Sequence, residues 1–264
     1  MICRPHAGGW LFISQPAHAW MAGELAAAWG NARFATPSPR EGVVLATRLH
    51  DIGWLSWDAQ PRLENDGLPV NFLATTLDET LPIWRLAVKW VQMMNPFAAL
   101  LVSMHASTIY DLRLERGSDQ PEKRAEVQNA LQEHKRLQAK LRQDLAQSSL
   151  YSKAIEPERL NFTYRWLRVC DLMSLAVLAG VFAPDGQIEQ VPARAESELT
   201  TIDYRRHDPF TLEITPWPFA RSDIQLSVLA RAVDQKRFED QEAYHVALAQ
   251  AAWQPLPVTL RQLS

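Results

Sequence analysis

The chain has 264 residues, of which 47% are hydrophobic and 22% are charged, and its formal net charge is −3. This is an ordinary globular composition, and the small negative charge gives no electrostatic basis for binding bulk nucleic acid or for coating an anionic membrane. Two cysteines make neither a disulfide framework nor a thiolate metal cluster. The first residues lack the pattern of a signal peptide, and the longest apolar runs are too short to span a bilayer. We therefore expect a cytoplasmic protein.

The N-terminal part of the chain is predicted to be a hairpin followed by helices. The pair Gly8-Gly9 between two apolar stretches indicates the hairpin. Over 15–29, apolar residues recur at spacings of three and four, which is typical of an amphipathic helix. A second helix is predicted at 41–51, and the proline- and glycine-containing segment 59–81 is predicted to be irregular.

Further helices are predicted over 82–94, 96–113, 122–148 and 157–182. The helix over 122–148 is charged with one apolar stripe, which is typical of a solvated helix packing one face on a core. Prolines and β-leaning pieces then indicate a change of structure. We predict a mainly α fold: an HD-domain-like helical bundle over 1–183, with a small α/β or β-rich C-terminal section over 184–264 packed on it. One helix of this section is predicted near 240–252.

Five ionisable residues fall on the apolar faces or at the ends of these helices: His18, His50, Asp51, His105 and Asp171. A lone buried histidine is commonly a hydrogen-bonded core residue, whereas an unpaired buried carboxylate costs free energy. Because the five residues come from four separate helices, a shared cation would explain them together. Neutral imidazoles and ionised carboxylates are natural ligands of such a cation. The alternative is a polar core in which these residues pair with each other.

The order of these residues resembles the HD superfamily of metal-dependent phosphohydrolases. The matching residues are His18 in QPAHAW, His50-Asp51 in LHDIGW, His105 in SMHAS and Asp171 in RVCDLMSL, and the resemblance spans about residues 14–182. The surrounding pattern looks closer still to an uncharacterised bacterial HD-like family of unknown function. The resemblance implies an all-α bundle that holds a divalent metal ion at its centre.

The resemblance also implies which residues bind and react. The metal ligands would be His18, His50, Asp51 and Asp171, and manganese, iron, zinc, nickel or magnesium would suit them. The predicted catalytic residues are His105, Asp51 and Asp58. His105 would bind phosphate, protonate the leaving group or help to hold a second metal ion. Asp58 would act as a general base or hold a ligand histidine, and a helix-end carboxylate without a catalytic task is equally consistent.

This chain departs from many HD hydrolases in two respects. Many of them carry a lysine shortly after the His-Asp pair, where this chain has Gly53 followed by Trp54. The two-metal members also carry more helix-borne histidines than this chain offers. We therefore expect one metal ion per chain.

The predicted function is hydrolysis of a phosphate ester, either a nucleotide or a small phosphorylated metabolite, by metal-activated water. Two alternatives stay open: an iron-dependent oxygenase on an HD-like bundle, and a non-catalytic protein that binds or senses a metal ion. The predicted partner is a small phosphorylated substrate, without bulk nucleic acid or membrane binding. Exposed-looking aromatic residues in the C-terminal section leave room for a homodimer.

Overall fold

The computed structural model describes residues 1–117, 120–180, 182–195 and 198–263. The fold is mixed α/β, with 51% of the residues in helices and 22% in strands. The prediction of a mainly α protein, and with it the all-α bundle that the resemblance implied, is therefore wrong. Helices α1 and α7, defined below, pack against a large curled sheet.

Most of the helices predicted from the sequence are confirmed, including the one near 240–252. In chain order they are α1 (Gln15–Ala28), α2 (Arg40–Leu49), α3 (Leu55–Ala59), α4 (Leu77–Met94), α5 (Pro96–Arg116), α6 (Pro121–Leu145), α7 (Pro157–Leu178) and α8 (Gln241–Gln250). Short 3-10 helices cover Ile52–Trp54 and Phe72–Ala74. The second predicted helix thus ends two residues early, and His50 and Asp51 directly follow α2 rather than belonging to it.

The start of α4 also differs from the prediction. The helix begins at Leu77 rather than at Pro82, so the end of the segment 59–81 is helical. Thr76 and Glu79 form a capping box, in which the Glu79 carboxylate accepts the backbone N–H of Thr76 at 2.8 Å. Because this cap satisfies free N–H groups at the helix start, the helix begins five residues before Pro82.

The strands of the described residues form one sheet. In chain order they are β1 (Ile2–His6), β2 (Gly9–Ile13), β3 (Asp185–Pro192), β4 (Leu199–Asp208), β5 (Thr211–Thr215), β6 (Asp223–Val233) and β7 (Trp253–Gln262). Within the described ranges the sheet has seven strands in the order β1-β2-β6-β7-β5-β4-β3. Strands β5 and β7 are parallel, and the other neighbouring pairs are antiparallel.

The N-terminal hairpin is confirmed, and it belongs to this sheet. Strands β1 and β2 pair antiparallel, and β2 pairs with β6 so that Trp10 lies opposite Val233. The sheet therefore joins the predicted domain 1–183 to the predicted section 184–264. The β-rich part of the fold is larger than expected because it includes the hairpin, while the division into two domains stays a prediction.

Two arginine side chains fasten the sheet to the end of α7. Arg4 on β1 donates to the carbonyl oxygen of Val177 at 2.7 Å, and Arg206 on β4 donates to that of Ala176 at 3.1 Å. Cations at the carboxyl end of a helix satisfy its free carbonyl groups and are favoured by the helix dipole. These contacts fix the position of α7, which carries Asp171, relative to the sheet.

A continuous hydrophobic core lies between the sheet and the helices. It contains fully buried side chains from both layers, such as Leu25, Leu101, Leu167, Leu212 and Leu260. Burial of apolar surface of this kind is the main stabilising contribution to a fold. Polar groups inside such packing need partners, because burying them unpaired costs free energy.

Among the described residues, no helix combines the length and the apolar character needed to cross a bilayer. The cysteines Cys3 and Cys170 are buried and free. Burial raises the pKa of the Cys3 thiol to about 12, so this thiol is unreactive at neutral pH.

Candidate metal centre

The fold brings five ionisable residues from four segments of the chain to one place. His18 lies on α1, His50 and Asp51 follow α2, His105 lies on α5 and Asp171 lies on α7. Their side chains are buried, with exposed fractions of 1%, 0%, 4%, 6% and 7% respectively. The convergence that the sequence predicted is therefore present in the structure.

The five residues form two overlapping groups of candidate metal ligands. The groups are His18, His50 and Asp51, and His50, His105 and Asp171. Within each group, one ligand atom per residue lies within 4.8 Å of the others. His50 belongs to both groups, so its imidazole stands at the middle of the cluster. These buried groups can hold a metal ion.

The Nε2 atoms of the three histidines all face carboxylate oxygens. The distance from His18 Nε2 to Asp51 Oδ2 is 2.8 Å. Asp171 lies on the other side of the cluster, with Oδ1 at 3.4 Å from His50 Nε2 and Oδ2 at 3.9 Å from His105 Nε2. Each carboxylate is thus shared between imidazoles, as in a site where they surround a common positive charge.

The backbone fixes the imidazole of His50. Its Nδ1 lies 2.8 Å from the carbonyl oxygen of Thr47, which can only accept, so Nδ1 carries the hydrogen. A neutral His50 therefore has its lone pair on Nε2. This Nε2 is buried and makes no hydrogen bond with acceptable geometry to a described residue, despite the carboxylates beside it. A buried polar atom in this state takes either a proton or a cation as its partner.

A serine fixes the imidazole of His18 in the same orientation. The Ser174 hydroxyl donates to the carbonyl oxygen of Asp171 at 2.8 Å, so its oxygen is left to accept a hydrogen bond. His18 Nδ1 lies 2.7 Å from that oxygen and therefore donates to it. The Nε2 lone pair of His18 then faces Asp51, and two lone-pair atoms at 2.8 Å need a proton or a cation between them.

A chain of hydroxyl groups fixes His105. The Thr108 hydroxyl donates to the carbonyl oxygen of Met104 at 3.1 Å, and the Tyr164 hydroxyl donates to Thr108 Oγ1 at 3.0 Å. The Tyr164 oxygen can then accept from Nδ1 of His105, which lies 3.3 Å away. Trp84 packs edge-on against the His105 ring, with the ring centroids 5.5 Å apart.

All three histidines therefore present Nε2 to the centre while donating Nδ1–H to an outer acceptor. Metal-binding histidines in proteins commonly show this arrangement, because the outer hydrogen bond sets the tautomer and the ring orientation. The donor set and its outer partners fit a metal ion.

The charges of the centre outweigh the effect of burial on its carboxylates. Burial alone would raise the pKa of Asp171, but the close approach and charge of His50 hold it well below the usual range. The pKa of Asp51 is lowered too, because His50 and His18 outweigh its burial. Both carboxylates are therefore ionised at neutral pH.

The pKa values of His50 and His105 shift in opposite directions. Burial disfavours protonation of His50, but Asp51 and Asp171 outweigh it and raise the pKa of His50 to about 9. For His105 burial dominates and lowers the pKa to about 4. In the metal-free protein a proton on His50 thus offsets part of the carboxylate charge, and a metal ion would compete with it.

Asp58 lies outside both groups of candidate ligands. Its Oδ1 is 2.5 Å from the amino group of Met1, and its Oδ2 accepts the backbone N–H of Gln15 at 2.6 Å. Burial raises the pKa of Asp58, although the Met1 amino group acts against this shift, and the charge of Asp51 adds to it. The side chain of Asp58, which belongs to α3, thus lies against the start of α1. The catalytic role of Asp58 stays a prediction.

The sequence did not assign the residues that orient the ligands. Ser174 follows Asp171 by three positions, a spacing that puts side chains on one side of a helix, and this spacing was the available signal for it. Thr47 orients His50 through its backbone carbonyl oxygen, so the identity of its side chain gave no signal. The role of Tyr164 had no local signal, because it depends on the packing of α7 against α5.

The fold and the site together define a mixed α/β protein with a buried candidate metal centre. The model of one protein family, described as "Protein of unknown function (DUF3891)", matches residues 1–235. The chain belongs to this family, and the match includes all five residues of the centre. In the other comparisons, neither a curated protein nor a solved structure matches the chain.

Proposed function

We propose that the protein is a metal-dependent hydrolase of a phosphate ester, either a nucleotide or a small phosphorylated metabolite. The observation that carries the proposal is the buried Nε2 of His50, which lies between two carboxylates without a hydrogen bond to a described residue. A metal ion at this position would supply the partner of Nε2, in competition with the proton that His50 carries in the metal-free protein. The resemblance of the residue order to the HD superfamily favours hydrolysis over other metal chemistry, as an analogy.

In this proposal one ion per chain is held by His18, His50, Asp51 and Asp171. Two imidazole nitrogens and two carboxylates suit manganese, iron, zinc, nickel or magnesium. When bound, such an ion supplies an acidified water molecule as nucleophile and offsets negative charge on a phosphoryl oxygen. Ser174 and Thr47 keep the His18 and His50 lone pairs directed at the ion by holding the Nδ1 hydrogens.

His105 acts as a proton acceptor in this proposal. Its low pKa keeps the imidazole neutral, and the hydrogen bond to Tyr164 places its hydrogen on Nδ1. The Nε2 lone pair therefore faces the centre, 3.9 Å from Asp171 Oδ2. A neutral imidazole in this orientation can take a proton from an attacking water molecule but has none to give to a leaving group. We thus assign His105 to base catalysis rather than to leaving-group protonation.

Elemental analysis followed by a phosphatase assay tests the proposal. The purified protein is compared with His50→Ala and Asp171→Ala, and with His6→Ala as a matched control, because His6 is exposed and lies outside the centre. We expect near-stoichiometric metal in the wild type and in the control, and loss of metal in the two centre variants. Each protein is then assayed for phosphate release from a panel of phosphomonoesters and phosphodiesters.

The two measurements separate metal binding from hydrolysis. Phosphate release that disappears with the metal in both centre variants would support the proposal. A metal-loaded wild type that releases no phosphate from any ester would contradict the hydrolase assignment while leaving the metal centre in place. A protein that takes up no metal from any of the five candidate ions would contradict both.

The second ligand group favours one alternative, an iron-dependent oxygenase. Because His50, His105 and Asp171 form a group of their own, the cluster offers ligands for a second ion. Two iron atoms per chain together with oxygen consumption in the presence of an organic substrate would favour this alternative. One ion per chain and no oxygen consumption would exclude it.

The deep burial of the centre favours the other alternative, a non-catalytic protein that binds or senses a metal ion. All five residues are at most 7% exposed, and closed sites are typical of structural metal ions. In that case His50→Ala would lower the stability of the fold, and neither hydrolysis nor oxygen consumption would be measurable in the metal-loaded wild type.

A further inference from the structure

A cavity of about 200 Å³ opens between α5, α6 and the first turns of α7. Its polar wall is formed by Lys135, Gln138, Arg142 and Asn161. Apolar side chains of α5 and α7, together with Ala139 of α6, form the rest of its lining. Among the described residues that line it, none belongs to the metal centre, so the cavity is a second and separate candidate site.

The cavity is lined by cations that lack acidic partners. Lys135 and Arg142 lie about two turns apart on one face of α6. Neither forms an ion pair with a described residue, and no carboxylate is found among the described lining residues. By contrast, Lys140 on the same helix forms an ion pair with Asp144 at 2.6 Å. Within the described ranges, Lys135 and Arg142 are therefore without an ion-pair partner.

The guanidinium of Arg142 has an unsatisfied donor at this site. Its Nε is buried and has no hydrogen-bond partner among the described residues. A buried donor without an acceptor costs free energy, and the cost is larger when the donor is charged. Arg142 therefore lines the cavity with a guanidinium whose Nε is left unpaired among the described residues.

The start of α7 adds to the positive field. The helix begins at Pro157, which lines the cavity, and its N-cap residue Glu156 makes no side-chain cap hydrogen bond. A helix amino end carries free N–H groups and a partial positive charge. The side chains of Glu156 and Glu158 are exposed and do not line the cavity.

We infer that this cavity binds the phosphate group of a small metabolite. Two unpaired cations match the charge of a dianion better than that of a monocarboxylate. A tetrahedral phosphate offers enough oxygens to accept from the Arg142 guanidinium and the Lys135 ammonium at the same time. The inference goes beyond the proposed hydrolysis and does not depend on it, because the cavity shares no residue with the metal centre.

Calorimetric titration of the full chain with inorganic phosphate tests the inference. Metal is first removed by chelation so that phosphate cannot bind at the other site. The variants are Arg142→Gln and Lys135→Gln, and Lys140→Gln is the matched control because it is an exposed lysine of the same helix. We expect binding by the wild type and the control, and affinity at least about tenfold weaker in Arg142→Gln. Lys135→Gln should also bind phosphate more weakly, and acetate should bind the wild type more weakly than phosphate does.

Thermal unfolding distinguishes ligand binding from a structural role of Arg142. The same phosphate concentration should raise the melting temperature of the wild type and of Lys140→Gln by more than that of Arg142→Gln. The inference is overturned if the wild type binds no phosphate at millimolar concentration, if Arg142→Gln binds it as tightly as the wild type, or if acetate binds equally well. It is also overturned if Arg142→Gln melts lower without phosphate yet keeps the full phosphate-dependent rise, because Arg142 would then serve the fold alone.

Discussion

Replacing Ser174 with alanine should weaken both metal binding and the fold. The Ser174 hydroxyl accepts Nδ1–H of His18 at 2.7 Å and donates to the carbonyl oxygen of Asp171 at 2.8 Å. Without it, the buried Nδ1–H has no acceptor and the imidazole is free to take the other tautomer. In that tautomer Nε2 carries the hydrogen and cannot bind a metal ion.

The size of both effects follows from the burial of the hydroxyl. Ser174 is 0% exposed, so water cannot easily replace its oxygen in the variant. Leaving one buried donor unsatisfied lowers the free energy of unfolding by about 1–3 kcal/mol. Losing the partner that orients a ligand histidine typically weakens metal affinity by about 10–100-fold. Urea unfolding of the metal-free protein measures the first quantity, and competition with a chelator of known affinity measures the second.

Ser103→Ala is the matched control for this substitution. Ser103 is also 0% exposed, and its oxygen lies 2.9 Å from Nδ1 of a histidine, His134. His134 belongs to neither group of candidate ligands. The control should therefore lose a similar free energy of unfolding and keep its metal affinity. Equal metal affinities in the two variants would refute the reasoning, because Ser174 would then have no specific effect on a ligand.

Three further predictions concern pH and the neighbours of the centre. The metal-free protein should lose stability as pH rises, because the fold raises the pKa of His50 from 6.5 to about 9. The stabilisation that protonated His50 contributes is complete below pH 6.5 and is lost as pH rises through about 9. Urea unfolding across this range measures the slope, which His50→Gln should lack. Asp58→Asn should lower the free energy of unfolding by about 1–3 kcal/mol, because the N–H of Gln15 loses a charged acceptor, and it should keep the metal content of the wild type. Loss of metal by this variant in elemental analysis would place Asp58 in the centre after all. Tyr164→Phe should keep the metal but lower the turnover of a phosphate ester by about tenfold or more, because Nδ1 of His105 loses its hydrogen-bond partner. Unchanged turnover in this variant would argue against base catalysis by His105.

The residues of the centre were predictable from the sequence because each gives a local signal. A histidine or an aspartate within an apolar helical stripe, such as Asp171 on α7, stands out against its neighbours at helical spacing. The sheet was not predictable in the same way. The pairing of β2 with β6 joins Trp10 to Val233, and local periodicity carries no information about which distant strands pair. The orienting contact of Tyr164 was missed for a related reason, since it arises only when α5 and α7 pack.

His50 and Asp51 are consecutive residues that serve one centre at the end of α2. The helix ends at Leu49, His50 still has helical backbone angles, and a 3-10 helix begins at Ile52, so the pair lies in the turn between the two helices. Gly53 holds this turn against α4, where a Cβ atom would collide with a backbone carbonyl oxygen. Many HD hydrolases carry a lysine shortly after the His-Asp pair, where this chain has Gly53. The glycine therefore has a structural reason, because it permits the close backbone approach that positions the His-Asp pair.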